Sequence, residues 1–222
     1  MTRRISAIEP QKKSPGRVNV YLDGEFAFGL ARILAVWLNV GLELDEKKIA
    51  ELQAEDQHEE AYQKALHFLS YRPRSSDEVR RNLTQRGLSE ELVGDTLQRL
   101  QQAGLVNDAE FARSWIENRD TFRPRSQLAL RTELRRKGLA DEVIESALRD
   151  HVNEEVLALD AARKYAARLA GLAWPDFRRK LGAFLARRGF SYDTIAPVVS
   201  KVWKESSRTA DGGETLDDKD RL

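Results

Sequence analysis

The sequence predicts a mainly α protein: three tandem three-helix repeats in an elongated array, with a small N-terminal β-hairpin in front of them. Two observations carry this. Apolar residues recur in a register of 51 through most of the chain, and strand-like alternation is confined to its start. Composition agrees: of 222 residues, 33% are charged and 41% hydrophobic, more charge than the roughly one quarter usual in soluble domains. Thin helical layers with long exposed faces produce such a balance.

At the N-terminus Val18, Val20 and Leu22 alternate with other residues, and Phe26, Phe28 and Leu30 resume the alternation. Asp23-Gly24 between them supplies the positive-φ positions of a tight hairpin turn. Ile5 and Ile8 suggest a further extended piece before Pro10. From Ala31 the pattern turns helical, with Ile33, Leu34, Trp37 and Leu38 on one stripe and Gly41 as terminator. Asp45 can cap the next helix, which carries Ile49 and Leu52.

Beyond residue 57 every periodic segment reads as helix. Leu83, Leu134 and Leu185 correspond, and each precedes a glycine turn: Arg86-Gly87-Leu88, Lys137-Gly138-Leu139, Arg188-Gly189-Phe190. Val79, Leu130 and Leu181 lie one helical turn earlier. Val93, Ile144 and Ile195 share a register, as do Leu97, Leu148 and Val199. Upstream, Ala65, Phe68 and Leu69 match Ala112, Trp115 and Ile116 at a spacing of 47, with Ala162 and Tyr165 nearest in the third copy. Four extra residues around Asp120–Arg123 account for the difference.

Capping residues divide each unit into three helices. Ser75 with Glu78 forms a capping box, Ser89 and Ser126 cap later helices, and Asn107 with Glu110 boxes another. Pro175 suits the first turn of a helix, and Ser191 with Asp193 opens the last one. The expected divisions are 1–56 for the hairpin and its helices, 57–106, 107–154 and 155–205 for the repeats, and 206–222 for a disordered acidic tail.

With no cysteine, disulfides, thiol nucleophiles and thiolate metal sites are excluded. The three histidines, His58, His67 and His151, have no metal-ligand spacing, and no nucleotide-loop or hydrolase motif occurs. Asp217, Asp218 and Asp220 read as solvated tail residues. The chain is therefore expected to be no enzyme, to need no cofactor and no metal, and to work in the cytoplasm without touching a membrane.

What remains is charge. The formal net charge is +1, but it is unevenly spread: residues 61–205 hold 26 Lys/Arg against 20 Asp/Glu, while both ends are acidic. Basic residues recur in the second helix of each copy: Arg80 and Arg81; Arg131, Arg135 and Arg136; Arg178, Arg179, Arg187 and Arg188. The apolar stripe of those helices turns these side chains outward, and the arginine fork suits phosphate or carboxylate. They are the candidate anion-binding residues. Ordinary solubilising charge, with pairs such as Glu133 and Lys137, is the competing reading. Aromatics fall at core-like positions, so a base-stacking platform is not expected.

The run Ala65-Leu66-His67-Phe68-Leu69-Ser70-Tyr71-Arg72-Pro73-Arg74-Ser75 resembles the RecX family of bacterial recombination regulators. So do Gly104-Leu105-Val106-Asn107-Asp108-Ala109-Glu110-Phe111-Ala112, Leu134–Leu139 and Phe184–Ser191. The resemblance implies a cytoplasmic inhibitor that binds the RecA–DNA filament, expected to act as a monomer; the nine arginines, read from the residues and not from the family, are the candidate filament or phosphate contacts. A helical module that binds DNA without RecA is the alternative, and weak direct DNA binding fits both.

Overall fold

The computed structural model describes residues 2–149 and 153–211, with side chains through 207. The chain divides into two compact units, 1–107 and 108–222.

The first unit opens with strands β1 (Thr2–Gln11), β2 (Ser14–Leu22) and β3 (Glu25–Ala31). A short β4 (Glu43–Asp45) completes an antiparallel sheet of order β3-β2-β1-β4. Asp23 and Gly24 have φ of 54° and 88°, as the expected hairpin turn requires. Ile5, Val20, Leu22 and Leu30 are fully or almost fully buried on one face.

The helix expected from Ala31 does not form. Only Leu34–Trp37 makes a single 3₁₀ turn, Ile33 and Trp37 are exposed, and Leu38 alone of that stripe is buried. The backbone finds its partners across the sheet instead. Ile5 N–H donates to Leu42 O at 2.9 Å and Gly41 N–H to Ile5 O at 2.8 Å, which leads directly into β4 beside β1. Backbone pairing at a sheet edge satisfies donors that a short, unpacked helix would leave to water.

Helix α1 (Glu46–Leu69) is capped by Asp45, whose side chain accepts from Lys48 N–H at 2.7 Å. It runs unbroken through the division expected at 56/57. Asp56, almost buried, ties it to the sheet: it accepts from Ala31 N–H at 2.7 Å and from Arg17 Nη2 at 2.6 Å. With α2 (Ser76–Gln85) and α3 (Glu90–Gln102), α1 forms the first three-helix bundle around Ala65, Val79, Leu83, Val93, Leu97 and Leu100. Ser75 and Glu78 make the expected capping box, and Ser89 caps α3.

The second unit holds two more bundles: α4 (Asp108–Phe122), α5 (Gln127–Arg136) and α6 (Asp141–Arg149), then α7 (Glu154–Ala166), α8 (Trp174–Ala186) and α9 (Tyr192–Asp211). The register of 51 is the core. Val79, Leu130 and Leu181 are fully buried, and so are Leu83, Leu134 and Leu185. Each second helix ends in the same turn, with the glycine N–H and the next residue's N–H bonding back to carbonyls of the last helical turn (Gly87, Gly138 and Gly189, all at positive φ).

The division expected at residue 206 falls inside a helix. Helix α9 continues to Asp211, with the Ser206 and Ser207 hydroxyls donating to the Val202 and Trp203 carbonyls. Residues 212–222, with Asp217, Asp218 and Asp220, lie outside the described residues, as does His151.

Candidate nucleic-acid interface

The nine arginines differ in their local partners. Four are engaged by carboxylates within their own bundle. Arg81 binds Asp77, its Nε at 2.6 Å. Arg131 grips Glu145 with two hydrogen bonds of 2.7 and 3.0 Å, and Arg135 Nε donates to Asp141 at 2.7 Å. Arg179 meets Asp176 at 2.8 Å, one turn earlier on α8. The hydrogen bonds to Glu145 and Asp141 raise the pKa of Arg131 and Arg135 above the ordinary arginine value.

Arg80, Arg178 and Arg187 are exposed and make no ion pair among the described residues, and Arg136 is exposed at the end of α5. Arg188 differs from all of them. It is half-buried, its Nη1 donates to Pro124 O at 3.0 Å, and its guanidinium lies 4.5 Å from the Phe184 ring centroid. Phe184 is itself stacked on Tyr165, centroids 4.0 Å apart. Burial first, then the charges of Arg125 and Arg123, pull the Arg188 pKa below its ordinary value.

Arg188 therefore belongs to a group that the stripe did not include. The turn between α4 and α5 reads Arg123-Pro124-Arg125-Ser126, and Arg119 lies one turn back on α4. Glu133 is the carboxylate among them. It accepts from Arg119 Nε at 2.7 Å and Trp115 Nε1 at 2.9 Å, and Arg125 Nε lies 3.3 Å away. Burial pushes the Glu133 carboxyl up, but these hydrogen bonds and the two arginine charges outweigh it and hold the pKa below the usual glutamate value. The pairing of Glu133 is thus to Arg119 and Arg125, while Lys137 lies over the Trp115 ring at 4.9 Å.

A sequence signal for this group exists. Arg72-Pro73-Arg74-Ser75 recurs as Arg123-Pro124-Arg125-Ser126 at the repeat spacing of 51. The copies differ in chemistry. In the first, Arg72 is neutralised by two hydrogen bonds to Glu78, of 2.9 and 3.1 Å. The position corresponding to Glu78 in the second copy is Ala129, and Arg123 has no ion pair among the described residues.

Among the described residues no group of three or more His, Asp or Glu could hold a metal ion. His67 is exposed and hydrogen-bonded to Tyr71 Oη at 3.2 Å. No helix among the described residues is long and apolar enough to cross a membrane.

Comparison with known proteins gives the arrangement a family. Residues 3–45 match the regulatory protein RecX N-terminal domain, and residues 61–100, 107–148 and 153–199 match the first, second and third three-helix domains of RecX. Regulatory protein RecX of Bacillus subtilis is 31% identical over 206 residues, covering 91% of this chain and 78% of the relative. That of Levilactobacillus brevis is 35% identical over 202 residues, covering 89% and 76%. A crystal structure of regulatory protein RecX superposes with a TM-score of 0.68 at 30% identity, covering 93% of this chain and 99% of that one. RecX from Lactobacillus salivarius shares the fold, with a TM-score of 0.59 at 24% identity over 68% of this chain and 99% of that one. With all four domain types in order and relatives matched along most of their length, the chain belongs to the RecX family of regulatory proteins.

Proposed function

We propose that this chain binds the RecA–DNA filament and inhibits its recombinase and associated activities, acting in the cytoplasm as a monomer without catalysis or cofactor. Membership of the RecX family is the observation that carries the reading. The physical chemistry supports it: three helical bundles display arginines, of which Arg80, Arg178 and Arg187 are exposed and free of ion pairs among the described residues. Such side chains can meet phosphate or acidic protein surface without first breaking an internal pair.

The test is a strand-exchange reaction run with increasing amounts of the chain, beside binding to bare DNA, to RecA alone and to RecA–DNA filaments. The reading expects dose-dependent inhibition and preference for filaments. Equal or tighter binding to bare DNA, with strand exchange untouched, would instead establish a helical DNA-binding module that acts without RecA.

A further inference from the structure

The turn between α4 and α5 concentrates positive charge where the fold has little to balance it. The arginines Arg119, Arg123, Arg125 and Arg188 lie there, and among the described residues Glu133 is the carboxylate paired with any of them, while Glu154 accepts from Gln127 N–H at the start of α5. Glu133 is already committed to Arg119, Arg125 and the Trp115 indole. Among the described residues Arg188 has only neutral partners, a carbonyl and a ring, although it is half-buried. Holding a partly desolvated cation beside other cations is unfavourable in the free protein. An anion seated there would relieve the repulsion and take up donors that the protein leaves unused.

The first repeat supplies an internal control. Its equivalent turn is closed by Glu78 on Arg72, whereas the second repeat has Ala129 at that position and adds Arg188 from α8. At the first turn Arg74 lies over the Phe68 ring with the Glu78 charge nearby, so the two turns differ in the missing carboxylate and the added Arg188. Immediately before Arg123 stands Phe122, the last residue of α4, with 74% of its surface exposed. An exposed aromatic beside unneutralised arginines is the combination that binds single-stranded nucleic acid, the ring stacking on a base and the arginines taking the phosphates.

We infer that the α4–α5 turn is a single-strand nucleic-acid site, in which Arg123, Arg125 and Arg188 hold backbone phosphate and Phe122 stacks on a base. The inference rests on the nucleic-acid part of the function proposed above and assigns it a place. It needs no recombinase, so the two readings fail separately.

The experiment is fluorescence anisotropy of a labelled oligothymidylate titrated with the full chain over a salt series, for wild type, Arg123→Gln and Phe122→Ala. Both side chains are exposed, and thermal melting checks that each variant keeps its fold. Binding to a single strand weakens with a log–log salt slope of about −0.7 per phosphate neutralised. Arg123→Gln is expected to lower affinity severalfold and to make the slope shallower by about 0.7. Phe122→Ala is expected to lower affinity roughly tenfold with the slope unchanged, because stacking releases no counterion. Absence of wild-type binding at low salt, preference for duplex, or an Arg123→Gln slope and affinity equal to wild type would overturn the inference. So would loss of filament binding in Arg123→Gln with oligothymidylate binding intact, which would assign the turn to a protein carboxylate.

Discussion

Gly189→Ala and Gly87→Ala form a matched pair, because the same helix-ending turn holds both glycines but only one is crowded. Their φ values are +89° and +82°, so alanine meets the same left-handed penalty at each, about 1–2 kcal/mol. A methyl group at Gly87 would find open space. At Gly189 it would lie 2.7 Å from Ser126 Oγ and 2.8 Å from the Ala129 Cβ. Van der Waals contact lies at about 3.5–4.0 Å, so something must move by roughly 1 Å. Ser126 cannot retreat freely. It is buried, its hydroxyl caps α5 by accepting from Ala129 N–H at 3.2 Å, and its own N–H donates to Arg188 O at 3.2 Å. Overpacking adds about 1–3 kcal/mol, and loss of the cap about 1 kcal/mol more. Gly189→Ala should thus destabilise the second unit by about 3–6 kcal/mol, against about 1–2 kcal/mol for Gly87→Ala in the first. Urea denaturation gives the totals, and amide hydrogen exchange locates them, with faster exchange in α5 and α8 for Gly189→Ala. Equal losses in the two variants would refute the close seating of the α8 turn on the start of α5.

Other outcomes follow from individual contacts. Asp56→Ala should cost the first unit about 2–4 kcal/mol in urea denaturation, since it strands the Ala31 N–H and the Arg17 guanidinium, whereas Asp56→Asn should cost less by keeping an acceptor. Because the Glu133 pKa is lowered in the folded chain, its contribution is complete above the ordinary glutamate value and is lost as pH falls through the lower folded value. Stability measured down an acid series should therefore decline less steeply in Glu133→Gln than in wild type. Arg178→Glu with Arg187→Glu should weaken filament binding and leave melting unchanged, both side chains being exposed and without ion pairs among the described residues. Unchanged affinity would make them solvated surface.

The sequence was most legible where one helix face repeats. Val79, Leu130 and Leu181, and the leucines four residues on, could be placed in the core because burial of an i,i+4 stripe leaves a periodic mark. Their glycine turns could be placed because the backbone there needs positive φ. The edge of the sheet was not legible. Its decisive bonds join Ile5 to Gly41 and Leu42 through the backbone, which leaves no side-chain pattern. The partners of the arginines were not legible for a related reason. Arg131 and Arg135 are neutralised by Glu145 and Asp141 on the neighbouring helix, fourteen and six residues away, beyond the i,i+4 window in which ion pairs are read from sequence.

The unbroken α1 has a mechanical meaning. Its 24 residues at 1.5 Å each span about 36 Å, with the sheet clamped to it through Asp56 and the first bundle through Ala65 and the Glu59–Arg99 pair at 2.8 Å. A helix carried through a boundary in this way is a strut rather than a hinge. Whatever the sheet touches and whatever the first bundle touches are held at a set spacing, and a load taken at one end is delivered to the other without a joint to absorb it. A gene product trimmed to begin at residue 57 would start inside the beam, without the sheet and without the arm that sets the first bundle's reach.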